Sequence, residues 1–148
     1  MDEKKFKEII QFAIVKEIGA AHFYTQAAEK AKNPDTEKLL LQFAREEEGH
    51  QTMLETLTIE KIDQATIEKS PPVRTSDNTG EMEYRPEMSY AEIVKMAITM
   101  EEQAFKLYDY LRETADDDDL KTIFTFMANE EAKHKARFEK LHTEEISK

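Results

Sequence analysis

Residues 39–57 read LLLQFAREEEGHQTMLETL, and residues 123–141 read IFTFMANEEAKHKARFEKL. In the first stretch Leu40, Phe43, Glu47, His50, Leu54 and Leu57 recur at steps of three and four, the spacing of one face of an α-helix. In the second, Phe124, Met127, Glu131, His134, Phe138 and Leu141 do the same. A shift of 84 residues carries each position of the first stripe onto the second. Both stripes are apolar except at their centre, where a Glu is followed three residues later by a His.

Two further segments complete the pattern. Phe6, Ile10, Ala13, Glu17, Ala20, Tyr24 and Ala27 form one stripe, and Tyr90, Ile93, Ala97, Glu101, Ala104, Tyr108 and Leu111 another. Each has one acid at its centre, and the same shift of 84 carries Glu17 onto Glu101 and Tyr24 onto Tyr108. The chain is therefore an internal repeat of a helical hairpin. Punctuation agrees. Asn33-Pro34 offers an N-cap and a first helical residue, Ser89 with Glu92 a capping box, and the run at 116–119 of four Asp a cap with favourable first-turn charge. Helices are expected over 2–32, 35–63, 89–115 and 117–146. Short turns join the first to the second and the third to the fourth. The polar stretch SPPVRTSDNTGEMEYRP at 70–86 belongs to a linker over about 65–88. Short, long, short connections give an all-α, single-domain four-helix bundle over residues 1–148: two antiparallel hairpins joined by one long crossover.

Composition narrows the function. Of 148 residues 36% are charged, only 3 are Gly, and the net charge is −11, which excludes nucleic acid and anionic membrane surfaces as partners. No apolar run is long enough to span a membrane, and the N-terminus MDEKKFKEII lacks a signal-peptide pattern. The chain contains no Cys, which excludes disulfides, thiol catalysis and cysteine-held metals and fits a cytoplasmic protein.

Glu17 and His50 each lie about 25 Å from the first turn at the helical rise of 1.5 Å per residue, and Glu101 stands in the same relation to Glu131 and His134 about the second turn. If the hairpins pack two-fold, six side chains share one layer. Four buried carboxylates cannot all ionise without compensation. Two divalent cations would offset four negative charges, with the imidazoles as neutral ligands. Mixed oxygen and nitrogen donors suit iron, with manganese or a mixed pair as alternatives. The bland reading, two solvated polar faces, does not account for one register shared by both halves. Glu46 and Glu130 also repeat one turn before the histidines, so they stay open as alternative ligands. Tyr24 and Tyr108 lie two turns beyond Glu17 and Glu101 and could hydrogen-bond a ligand carboxylate. Equally, they could be core tyrosines whose hydroxyls are satisfied elsewhere. His22 and His142 lie off the stripes and read as surface residues. Gly49, in mid-helix, has no counterpart glycine.

Glu17 with Phe23-Tyr24, Glu47-x-x-His50, Glu101 and Glu131-x-x-His134 resemble the rubrerythrin branch of the ferritin-like di-iron carboxylate superfamily, over nearly the whole chain. The resemblance implies two iron ions held by those six residues, with Tyr24 a hydrogen-bond partner close by. It also implies reduction of hydrogen peroxide, or of dioxygen, in oxidative-stress defence. Electrons would come from an external donor such as a rubredoxin, because the four-cysteine rubredoxin module of rubrerythrin is absent. A homodimer is the expected assembly. Rubrerythrin carries a further Glu where this chain has Ala104, and without it the ligand set also resembles that of bacterioferritin. The alternative function is accordingly a ferroxidase or iron-storing protein with little peroxidase turnover. Against bacterioferritin, Glu48 stands where its haem-binding Met would be, and no fifth helix is expected.

Overall fold

A computed structural model describes residues 3–61 and 84–146, with side chains at 4–57 and 84–144. The described residues are all-α, with four long helices: α1 (Glu3–Ala27), α2 (Pro34–Lys61), α3 (Tyr90–Thr114) and α4 (Asp118–Ile146). No strand occurs among the described residues. Two compact units divide at Glu83 and Tyr84. In the first, α1 packs on α2; in the second, α3 packs on α4. These are the helix inventory and pairing of a four-helix bundle. The end expected for the second helix at 62–63 and residues 65–83 of the expected crossover lie outside the described residues.

Local chemistry sets the helix ends. The Asn33 side chain accepts from the Thr36 amide at 2.8 Å, and Pro34 begins α2, where its missing N–H costs nothing. Asp117 caps α4 in the same way, accepting from the Asp119 amide at 2.7 Å. Asn33 and Asp117 are 84 residues apart, so the repeat extends to the caps. It extends to the turns as well. Ala31 and Ala115 leave the preceding helices in the same extended conformation, with φ/ψ of −61°/140° and −69°/136°. At Ser89 both halves of the capping box form: the hydroxyl accepts from the Glu92 amide at 3.1 Å, and the Glu92 carboxylate accepts from the Ser89 amide at 3.4 Å. Met88 and Ile93, at the flanking positions of a hydrophobic staple, are both buried.

One end departs from expectation. The first helix does not run uniformly to residue 32; it tightens into a 3-10 turn at Ala28–Lys30, closed by the Ala31 amide on the Ala28 carbonyl. At the matching place in the second hairpin, the Ala115 amide reaches one residue further back, to Leu111, and α3 stays α-helical. Such tightening at a C-terminus satisfies orphan carbonyls within a shorter turn.

The predicted stripes are the buried faces. Every position from Leu40 to Leu57 is buried in α2, as are Phe124 to Phe138 in α4, Ile10 to Ala27 in α1, and Ile93, Ala97, Glu101, Tyr108 and Leu111 in α3. Phe6, Tyr90, Ala104 and Leu141 are half-buried. Phe23 and Val94, off the stripes, are buried too, because a packed helix covers a face wider than its central line.

Gly49 is exposed and helical, and a Cβ built there meets no atom within 4 Å. Gly49→Ala should therefore stabilise the protein by about 1 kcal/mol, through helix propensity alone. Asn33→Ala should destabilise it by about 1 kcal/mol. Urea unfolding followed by circular dichroism reads both.

Candidate metal centre

The lines of apolar side chains are interrupted at six places. Glu17, Glu47, His50, Glu101, Glu131 and His134 are all buried, at 1–3% relative exposure. Within the first hairpin, His50 Nδ1 lies 3.6 Å from Glu17 Oε1 and 3.6 Å from Glu47 Oε1. Within the second, His134 Nδ1 lies 3.4 Å from Glu101 Oε1 and 3.7 Å from Glu131 Oε1. Each hairpin thus holds one triad of two carboxylates and an imidazole, with ligand atoms within 4.8 Å of one another.

The spacing is informative. All but one of these separations exceed the reach of a hydrogen bond, and none is ideal for one. Atoms that share an ion at about 2.1 Å, with angles between about 90° and 120° at the metal, sit about 3.0–3.6 Å apart. The triads, at 3.4–3.7 Å, come close to that spacing. Moreover, Glu17 Oε2, Glu47 Oε1 and His50 Nδ1 are buried and make no hydrogen bond, and the same holds for Glu101 Oε2, Glu131 Oε1 and His134 Nδ1. The two sets match atom for atom under the 84-residue shift. Buried polar atoms are usually hydrogen-bonded, and in both hairpins these groups instead face one another at ion-pair distances. A divalent cation satisfies all of them at once. The residues present therefore fit a metal.

Register places the triads. Steps of three on α2 and α4 put Glu and His one turn apart on one face. The capped turns at Ala31–Asn33 and Ala115–Asp117 then bring the acid of α1 or α3 to their height.

The other candidates sort themselves by burial. Glu46 and Glu130 are half-buried and turn to the surface, where Glu46 Oε1 accepts from Gln42 Nε2 at 3.2 Å and Glu130 Oε2 pairs with Lys133 Nζ at 3.5 Å. His22 is exposed and His142 half-buried. Tyr24 and Tyr108 are buried. The Tyr24 ring stands edge-on to Phe23 and Phe43, with centroids 5.7 and 6.3 Å away. One group was not singled out by its pattern. Lys16, next to Glu17, buries its Nζ 5.3 Å from the centre of the Phe12 ring, and burial lowers its pKa. Its place off the stripe gave no signal of this, since lysines usually carry the ammonium outward.

Buried carboxylate–histidine triads, repeated in two helical hairpins, form a site that could hold metal ions, in the manner of helical carboxylate proteins. The sequence pattern of the rubrerythrin family matches residues 8–87 and 92–147, and the chain belongs to that family. The fold is shared with a solved structure titled "Hypothetical Protein Pfu-1136390-001 From Pyrococcus furiosus", at 23% identity and a TM-score of 0.72, covering 93% of this chain and 87% of that one. No curated protein matches the chain. No described helix is long and apolar enough to cross a membrane.

Crowding buried carboxylates together destabilises the metal-free protein, so Glu47→Gln should raise its midpoint of thermal unfolding. The same change should shrink the further rise that ferrous or manganous ion gives the wild type. Glu46→Gln should leave that rise intact. Calorimetry with and without metal distinguishes these outcomes.

Proposed function

We propose that the two triads act as one di-iron centre and that the protein reduces hydrogen peroxide, or dioxygen, with electrons from an external donor protein such as a rubredoxin. The observation that carries this reading is the identity of the two triads, each a buried imidazole nitrogen 3.4–3.7 Å from two buried carboxylate oxygens. Membership of the rubrerythrin family favours iron and redox chemistry. Four carboxylates also balance the charge of two ferrous ions, leaving the imidazoles neutral.

When bound, the iron pair supplies the two electrons that, with two protons, convert one peroxide to two waters. The protein's part is to hold and shield. Glu17 and Glu101 each serve one triad from α1 and α3. Glu47 and Glu131, three residues before a His, would contribute the carboxylates of α2 and α4. His50 and His134 offer Nδ1. The apolar neighbours of each triad on its own stripe, Phe43, Leu54, Met127 and Phe138, are all buried and keep bulk water from its ligands. Tyr24, its ring fixed between Phe23 and Phe43, is proposed to hydrogen-bond a ligand carboxylate, with Tyr108 in the matching role. Location in the cytoplasm and assembly as a homodimer are part of the same proposal.

Ferrous protein mixed with peroxide in a stopped-flow apparatus should be oxidised faster than free iron, with saturation near two irons per chain. Glu131→Gln should lower the bound iron and remove the fast phase, while Tyr24→Phe should keep the stoichiometry and slow the phase. Oxidation no faster than free iron, or uptake of many irons per chain, would overturn the peroxidase reading in favour of iron handling.

A further inference from the structure

The hairpins that match so closely in their cores differ on their outward faces. On α4, Phe126, Glu130, Lys133, Arg137 and Lys140 follow one another at steps of four and three along one stripe. Phe126 is 47% exposed, and Lys133, Arg137 and Lys140 are exposed, while Glu130 is half-buried against Lys133. The 84-residue shift carries these positions onto Gln42, Glu46, Gly49, Met53 and Thr56 of α2. None of those five positions holds a cation, although Lys38 and Arg45 stand exposed beside them on α2. The α4 stripe therefore carries three positive charges against the one of Glu130, before Glu144 ends the run.

Neither fold nor triad needs these residues, since α2 forms the same helix and the same Glu–His pair with Gly, Met and Thr in their places. The stripe is also unexpected on electrostatic grounds, because a chain of net charge −11 repels other acidic proteins over most of its surface. Local positive charge on such a chain selects for an acidic partner and orients it. Lys106, exposed on α3, and Lys135 on α4 both pair with Glu102, so that acid is already engaged within the hairpin. An exposed aromatic at one end of the stripe gives a partner an apolar anchor beside the charges. His134 lies between Lys133 and Arg137 on the same helix. A helix is about 10 Å across, so a group seated on the stripe is separated from His134 by about that distance.

We infer that the outward face of α4 is the docking surface for an acidic one-electron donor protein, held by Lys133, Arg137 and Lys140 with Phe126 as its apolar contact. The inference rests on the proposed redox function, but it can fail separately. The test uses the full-length protein and a zinc-substituted rubredoxin of net negative charge, which binds without electron transfer. Calorimetric titration at about 20 mM salt should detect binding, and at about 200 mM salt the affinity should fall about tenfold or more. The triple variant K133E/R137E/K140E should weaken binding by about tenfold or more at low salt, and Phe126→Ser by several-fold. The variant K4E/K32E/K38E brings the same change in net charge to α1, α2 and the turn between them, and should stay within about twofold of wild type. Both triple variants, reduced with dithionite, should react with peroxide like the wild type. Equal losses in the two triple variants would overturn the inference, because net charge alone would then explain them. So would the absence of binding at low salt, binding indifferent to salt, or tighter binding of a short duplex DNA on the same stripe. Failure of the peroxide reaction in wild type, with stripe-dependent binding intact, would sink the redox function instead.

Discussion

The structure depends on keeping four carboxylates and two imidazoles out of water. Each of the six is almost wholly buried, and each helical hairpin brings one imidazole nitrogen to between 3.4 and 3.7 Å of two carboxylate oxygens. Burying ionised groups is costly unless an opposite charge is held close by. A hydrophobic core alone would reject these side chains, and each hairpin instead buries them beside one another. The apolar stripes on either side then act as a frame. They fix helix register, and register aims the ligands.

Much of this frame could be read from the amino-acid order. Steps of three and four identified the buried face of all four helices, and Asn33, Ser89 and Asp117 act as the caps their types suggest. Glu46 and Glu130 were not decidable from periodicity. A residue four before His50 lies about 40° from it around the helix, and one three before lies about 60° on the other side. Phase even favours the less buried acid slightly. What separates Glu46 from Glu47 is the neighbouring helix, which covers one flank and leaves the other to Gln42 and solvent. The 3-10 finish of α1 was hidden for a similar reason: Ala28–Lys30 has ordinary helix-forming composition, and the choice between a tight and a normal last turn is made by packing. Lys7 and Thr36, both buried, show the same limit.

The repeat itself has unequal depth. It is strict at the ligands, at the caps and at the extended alanines of the turns. On the outside it dissolves: Gly49 corresponds to Lys133, and Gln42 to Phe126. Conservation of pattern between the two halves of one chain thus separates what the centre requires from what is free to vary, without reference to any other protein.

The two turns have a further consequence. Ala31–Asn33 and Ala115–Asp117 are the same length, and each sits midway between ligands on its two flanking helices. Inserting one residue into a helix flank would swing everything beyond it by about 100° and lift it by about 1.5 Å. The turn with its cap thus behaves as a ruler whose length is as constrained as any ligand. Loops usually absorb insertions readily. In this protein the two shortest loops should be the least forgiving places to add or remove a residue.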